Sequence, residues 1–214
     1  MGRLGPRYPE WLAVPNMGAA PLRLFDSPLL EACSKTPWWT VPILWLPLAL
    51  AALAHAVAAA GLVAAAGYAA LGFAAWLCLE YALHRFLFHA HVVSRAGITL
   101  HFAFHGCHHK QPQDGLRLVF PPLFAAPLVA FFRAALAAAL PGPGRARAAF
   151  GGMLAGYVAY DCTHYWSHHA GTALPAWLAG VRAAHLAHHF RDSSRGFGVS
   201  SSLLDALLGT LPLR

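Results

Sequence analysis

Between Thr40 and Leu83 the chain runs for 44 residues with one formal charge, Glu80. A single membrane-crossing helix needs about 20 apolar residues, so this run has room for two. Gly61 falls near its middle. The spacing predicts helices over about 38–59 and 62–83 joined by a tight turn. Trp38, Trp39 and Trp45 stand at the start, where aromatic side chains gather at a membrane–water interface. A third apolar run covers about 119–140, opened by Pro121 and Pro122. Arg133 interrupts it and is expected to face protein or to snorkel. Pro141–Gly144 forms a turn, and a fourth run covers about 148–166. The expectation is an all-α integral membrane protein with four transmembrane helices.

Composition agrees. The chain is 58% hydrophobic and 11% charged, against about 25% charged for soluble domains. Its net charge of +7 comes from Lys and Arg lying between apolar runs, as on cytosolic loops. No basic run carries interleaved aromatics, so no nucleic-acid partner is expected. Residues 1–36, broken by five prolines, read as a cytosolic N-terminal arm with no signal peptide. Residues 37–214 read as one membrane-embedded domain. Cys33, Cys78, Cys107 and Cys162 show no CxxC spacing, which argues against a disulfide framework or a cysteine zinc site. An interfacial helix is expected at 201–211.

Fourteen histidines are the outlier, and they cluster. His105-x-x-His108-His109 recurs as His185-x-x-His188-His189. On a helix, positions i, i+3 and i+4 share one face. Three such imidazoles can share one metal or bridge two. The pairs His84/His89 and His164/His168 each follow an apolar run. With four spans, all four clusters emerge on the same side, which is cytosolic if the N-terminal arm is cytosolic. Ten histidines fit a ligand pattern, five for each of two metals, and imidazole suits iron, zinc, copper or nickel. His55 lies inside the first span and reads as a packing or hydrogen-bonded residue. His91 lies near the ligands in sequence and reads either as a residue supporting them or as a surface residue. His101 and His169 are candidates to hydrogen-bond ligands or nearby carboxylates. Asp161 is a candidate to orient a ligand imidazole or a substrate group. Asp114 and Asp192 could act likewise or be solvated loop charges. Arg85, Lys110 and Arg117 are candidates to meet a substrate head group, or plain surface charge.

Five segments carry a resemblance. EYALHRFLFH (80–89), HFAFHGCHHKQPQDGLRLVFPP (101–122), YDCTHYWSHH (160–169), HLAHHFRDSSRGFGVSSSLLD (185–205) and SKTPWWTVPILWLP (34–47) are similar to the membrane fatty acid 2-hydroxylases. These belong to the fatty acid hydroxylase/sterol desaturase superfamily. The similarity covers about residues 25–211, in order. It implies a di-metal centre ligated by His84, His89, His105, His108, His109, His164, His168, His185, His188 and His189. It implies two iron ions in the active enzyme, with zinc able to occupy the sites in purified protein, and O2 as co-substrate. It implies four membrane helices under a cytosolic helical cap, and hydroxylation at C2 of a long acyl chain, free or within a sphingolipid. The membrane is the endoplasmic reticulum in a eukaryote and the cytoplasmic membrane in a bacterium. Many eukaryotic relatives carry a cytochrome b5 domain with an HPGG motif, absent from this sequence. Electrons are therefore expected from a separate donor, such as cytochrome b5 or ferredoxin with its reductase. The segment between His89 and His105 looks shorter than in yeast-like members, and Leu203 and Leu204 stand where aromatics are familiar.

Other readings remain at this stage. One is a related histidine-box lipid oxidase: a sterol desaturase or methyl oxidase, or a carotenoid hydroxylase. A different class is a histidine-rich membrane metal-binding or transport protein, which should place polar ligands within its spans.

Overall fold

The computed structural model describes residues 1–18, 20–171 and 175–212, and these contain helices and loops with no strand. In chain order the α-helices are α1 (Tyr8–Leu12), α2 (Pro28–Cys33), α3 (Thr40–Ala60), α4 (Leu62–Ala82), α5 (Arg95–His101), α6 (Cys107–Lys110), α7 (Pro122–Ala139), α8 (Pro143–His169), α9 (Ala176–Phe190) and α10 (Leu203–Leu207). Gly61 links α3 to α4 with φ +80°, a conformation that costs glycine little.

Among the described residues, three helices are long and apolar enough to cross a membrane: Thr40–Ala60, Leu62–Phe88 and Pro122–Ala139. They expose Leu44, Leu48, Leu71, Phe73, Leu128 and Phe131 on their outer faces. That surface suits lipid. The expected fourth span, 148–166, lies inside α8, which is not apolar enough to join them. The reason is its position. Helices α3, α4 and α7 all pack against α8, and most of its residues from Ala148 to His168 are buried. A helix enclosed by other helices can keep Asp161 and its histidines, because its neighbours rather than lipid surround it. Small residues permit the close fit. A Cβ at Gly152 would overlap the Ala69 carbonyl, and one at Gly72 the Ala149 carbonyl. Gly156 lies against Trp76.

The cap forms at the end where α3 and α7 begin and α4 and α8 finish. Residues 1–36, expected as an arm, lie across α5 and α6. Tyr8 is buried with Ile98, Phe102 and Cys107, and Leu4, Trp11, Leu22 and Leu24 pack around them. The Lys110 ammonium donates to the Trp11 carbonyl at 2.8 Å and also reaches the Val14 carbonyl. Arg117 is buried between Asp114 (2.9 Å) and Glu31. Both cations are engaged by the protein, Arg117 buried and Lys110 half-buried. The helix expected over 201–211 spans only Leu203–Leu207 and ends before a turn at Gly209, φ +71°. Its Asp205 points into the protein.

Candidate metal centre

All ten candidate ligands meet in the cap. They form two groups of five: His84, His89, His105, His109 and His188, and then His108, His164, His168, His185 and His189. Within each group the nearest ring nitrogens lie within 4.8 Å of one another. All are buried except His89, which is half-buried.

Local backbone geometry explains how each pair converges. Successive residues of an α-helix advance by about 100°, so i and i+4 differ by about 40° and can aim at one point. His164 and His168 do this on α8. His84 and His89 are five apart, about 140° on an α-helix. The chain resolves this by turning π-helical over Leu83–Phe88. The His89 N–H donates to the His84 carbonyl at 3.1 Å, an i→i+5 bond that stacks the two side by side. A second π segment, Phe102–Gly106, carries His105.

The two HxxHH boxes divide by the same rule. In each, i and i+4 enter one group and i+3 enters the other. His105 and His109 join the first group and His108 the second. His185 and His189 join the second and His188 the first. The i+3 position stands about 60° to the other side of i, so it faces the neighbouring group. Each box therefore ties the two groups together.

The Nε2 atoms converge. His89 Nε2 lies 3.1 Å from that of His105 and 3.0 Å from that of His188, which is 3.3 Å from His109 Nε2. His108 Nε2 lies 2.9 Å from His164 Nε2 and 3.0 Å from His189 Nε2, and His168 Nε2 lies 2.8 Å from His185 Nε2. Metal–nitrogen bonds of about 2.0–2.1 Å would set neighbouring ligand nitrogens roughly 2.9–3.4 Å apart, so the spacing fits a cation at the centre of each group. Two rings show which nitrogen faces inward. His84 Nδ1 sits 2.7 Å from the Phe197 carbonyl, and His188 Nδ1 2.7 Å from the Arg195 carbonyl. A carbonyl only accepts, so Nδ1 carries the proton and Nε2 keeps its lone pair for the centre. Burial also favours neutral rings. Desolvation holds His105, His108, His109, His185 and His189 well below the ordinary imidazole pKa, and His188 down to about 4. A set of neutral nitrogen donors with converging lone pairs can hold two metal ions.

Comparison with known proteins accords with this arrangement. The family model described as fatty acid hydroxylase matches residues 69–210, which hold all ten histidines. The chain belongs to the fatty acid hydroxylase family. It is 42% identical to a dihydroceramide fatty acyl 2-hydroxylase of Arabidopsis thaliana, over 99% of this chain and 89% of that protein. It is 41% identical to a fatty acid 2-hydroxylase of Rattus norvegicus, over 99% of this chain and 62% of that protein. A solved structure of full-length scs7p, with only the hydroxylase domain visible, superposes with a TM-score of 0.85 at 38% identity. It covers 95% of this chain and 77% of that one.

The residues expected around the ligands fall in different places. His101 Nδ1 pairs with the Tyr8 hydroxyl at 2.6 Å instead of a ligand. The backbone of Phe88 lies on its other side, one residue before His89. Asp161 is fully buried in α8 and makes no hydrogen bond to any described histidine. It bonds the backbone N–H of Phe120 and lies by Tyr157. His169 stacks on Tyr165 at 4.5 Å and makes no hydrogen bond to a candidate ligand among the described residues. Within the first span, His55 turns outward and its Nδ1 lies 2.7 Å from the Ala51 carbonyl, which satisfies it locally. Asp192 is half-buried and caps its own loop through Ser194. Arg85 donates to the Tyr81 hydroxyl at 2.9 Å. With Phe86, His89, Ser193, Ser194 and Phe197 it lines a surface pocket of about 330 Å³. Reading the sequence missed the carbonyls of Arg195 and Phe197. Backbone groups leave no residue-type signal; the only pointer is the glycine-flanked GFG at 196–198.

Proposed function

We propose that this chain is a fatty acyl 2-hydroxylase, inserting one atom of O2 at C2 of a long acyl chain carried free or in a sphingolipid. The observation that carries this is ten buried imidazoles in two groups of five. The names of its relatives supply the substrate class. In this reading His84, His89, His105, His109 and His188 hold one metal, and His108, His164, His168, His185 and His189 hold the other. Two iron ions bound there supply the O2 activation that side chains cannot perform on an unactivated C–H bond. Electrons come from a separate donor such as cytochrome b5 or ferredoxin with its reductase.

The chain's own residues bind and aim the substrate. C2 adjoins the acyl carbonyl, so the head group must sit beside the metals. The pocket at His89 meets that need. Of the three cations weighed from the sequence, Arg85 alone faces it, while Lys110 and Arg117 are held by the protein. The acyl tail lies along the apolar outer helices. In our topology α8 is the fourth span, residues 37–214 form the membrane-embedded domain, and residues 1–36 belong to a cytosolic cap. The membrane is the endoplasmic reticulum or the bacterial cytoplasmic membrane according to the host.

Anaerobically purified protein should carry two metal ions per chain, and expression should add 2-hydroxy acyl lipids to the host. Metal-bearing protein that leaves lipids unchanged, or yields oxidised sterols or carotenoids instead, would overturn the substrate assignment.

A further inference from the structure

Two buried carboxylates have no part in the scheme above. Glu80, near the end of α4, is the single formal charge of the 44-residue apolar run. One of its oxygens accepts from the backbone N–H groups of Val199 (3.2 Å) and Ser200 (2.8 Å). The other accepts from Trp76 Nε1 (3.1 Å) and from the Ser200 hydroxyl. Asp205, in α10, accepts from the N–H groups of Phe197 (2.9 Å) and Gly198 (2.8 Å) and from the Thr210 hydroxyl (2.7 Å). Between them they take four consecutive amides, 197 to 200, of a segment that lies in neither helix nor sheet.

That segment is the one whose carbonyls face the histidines. Arg195 and Phe197 receive the Nδ1 protons of His188 and His84, both of the first group. In the second group, by contrast, the Nδ1 atoms of His108, His164, His168, His185 and His189 have no hydrogen-bond partner among the described residues. The glycines fit the same design. Gly196 has φ +75°, and a Cβ on Gly198 would stand 2.9 Å from the Asp205 carboxylate.

We propose that Glu80 and Asp205 are positioning residues that pin the 195–200 strap and, through its two carbonyls, set the metal affinity of the first histidine group alone. This rests on the reading of the histidines as metal ligands. The charge type matters because every partner of Asp205 is a donor. An amide at that position must turn its own NH2 toward an N–H or a hydroxyl. At Glu80 an amide meets fixed donors too, Trp76 Nε1 on one side and the Val199 and Ser200 N–H groups on the other.

The test is a zinc titration of the purified full-length protein in detergent against a chelator, with bound zinc counted per chain. Wild type should take up two ions. Asp205→Asn should keep one at wild-type affinity and bind the other about 10–100-fold more weakly, the range seen when a partner behind a ligand is lost. Glu80→Gln should weaken the same ion by less, because it holds residues 199 and 200, farther along the chain from the two carbonyls, and it decides the matter if Asp205→Asn does not accumulate. Two unchanged ions in the variants would overturn the proposal. Equal weakening of both ions would overturn it too, since the strap would then serve the fold at large. A wild type that binds no zinc would remove the metal reading itself and this inference with it.

Discussion

The two histidine groups match in number and differ in support. The first stands on a π-turn and on a strap whose carbonyls hold two of its rings, and it opens toward a pocket at His89. The second stands largely on α8 and α9, is wholly buried, and is held by packing. The contrast teaches that equal ligand counts need not mean equal sites. The group that borders the pocket is the one with a built outer frame, while the enclosed group relies on its helices.

The largest expected effect comes from the boxes that join the groups. His108→Ala and His109→Ala sit one residue apart but in different groups. Each should reduce hydroxylation to background, measured as 2-hydroxy lipid by mass spectrometry. Metal analysis should show each losing an ion from its own group first. Loss of the same ion in both variants would break the division drawn here. Next is Arg117→Ala, which leaves Asp114 and Glu31 without their buried partner behind α6. Breaking such a pair costs about 3–5 kcal/mol. A drop in melting temperature should accompany weakened binding of both ions, because α6 feeds both groups.

Acid should act through the same rings. His188 titrates near 4 in the fold and near 6.5 when unfolded. Below about pH 6.5 the unfolded chain binds protons that the folded one refuses, so the metal-free protein loses stability as pH falls toward 4. Melting in the presence of chelator between pH 5 and 8 reports this, and a flat profile would contradict the burial of the rings. The smallest effect is His169→Gln. This ring makes no hydrogen bond to a candidate ligand among the described residues, so metal content should be unchanged and activity within about twofold, as for most substitutions away from such features. A lost ion would enlarge the second group.

Much of the fold and the cluster was legible in the chain. Long apolar runs marked α3, α4 and α7, since lipid leaves no choice but an apolar helix surface. The helix α8 was harder, because enclosure by protein relaxes that demand and lets charges stand within it. Lys110 and Arg117 read as cations for a substrate head group or for the surface; the contacts that hold them depend on how residues 1–36 fold back across α5 and α6, and no local pattern encodes that. Glu80 was visible as an isolated charge, but its partners Val199 and Ser200 lie some 120 positions away in sequence.

The sequence by itself determined which ten side chains can serve as donors, because box spacing on a helix sets which residues share a face. Only the tertiary structure decided how those donors divide. A rotation of about 100° separates i+3 from i+4, and which neighbour lies in each direction depends on helix crossing and on the π-turn at Leu83–Phe88, long-range packing outcomes that spacing cannot express.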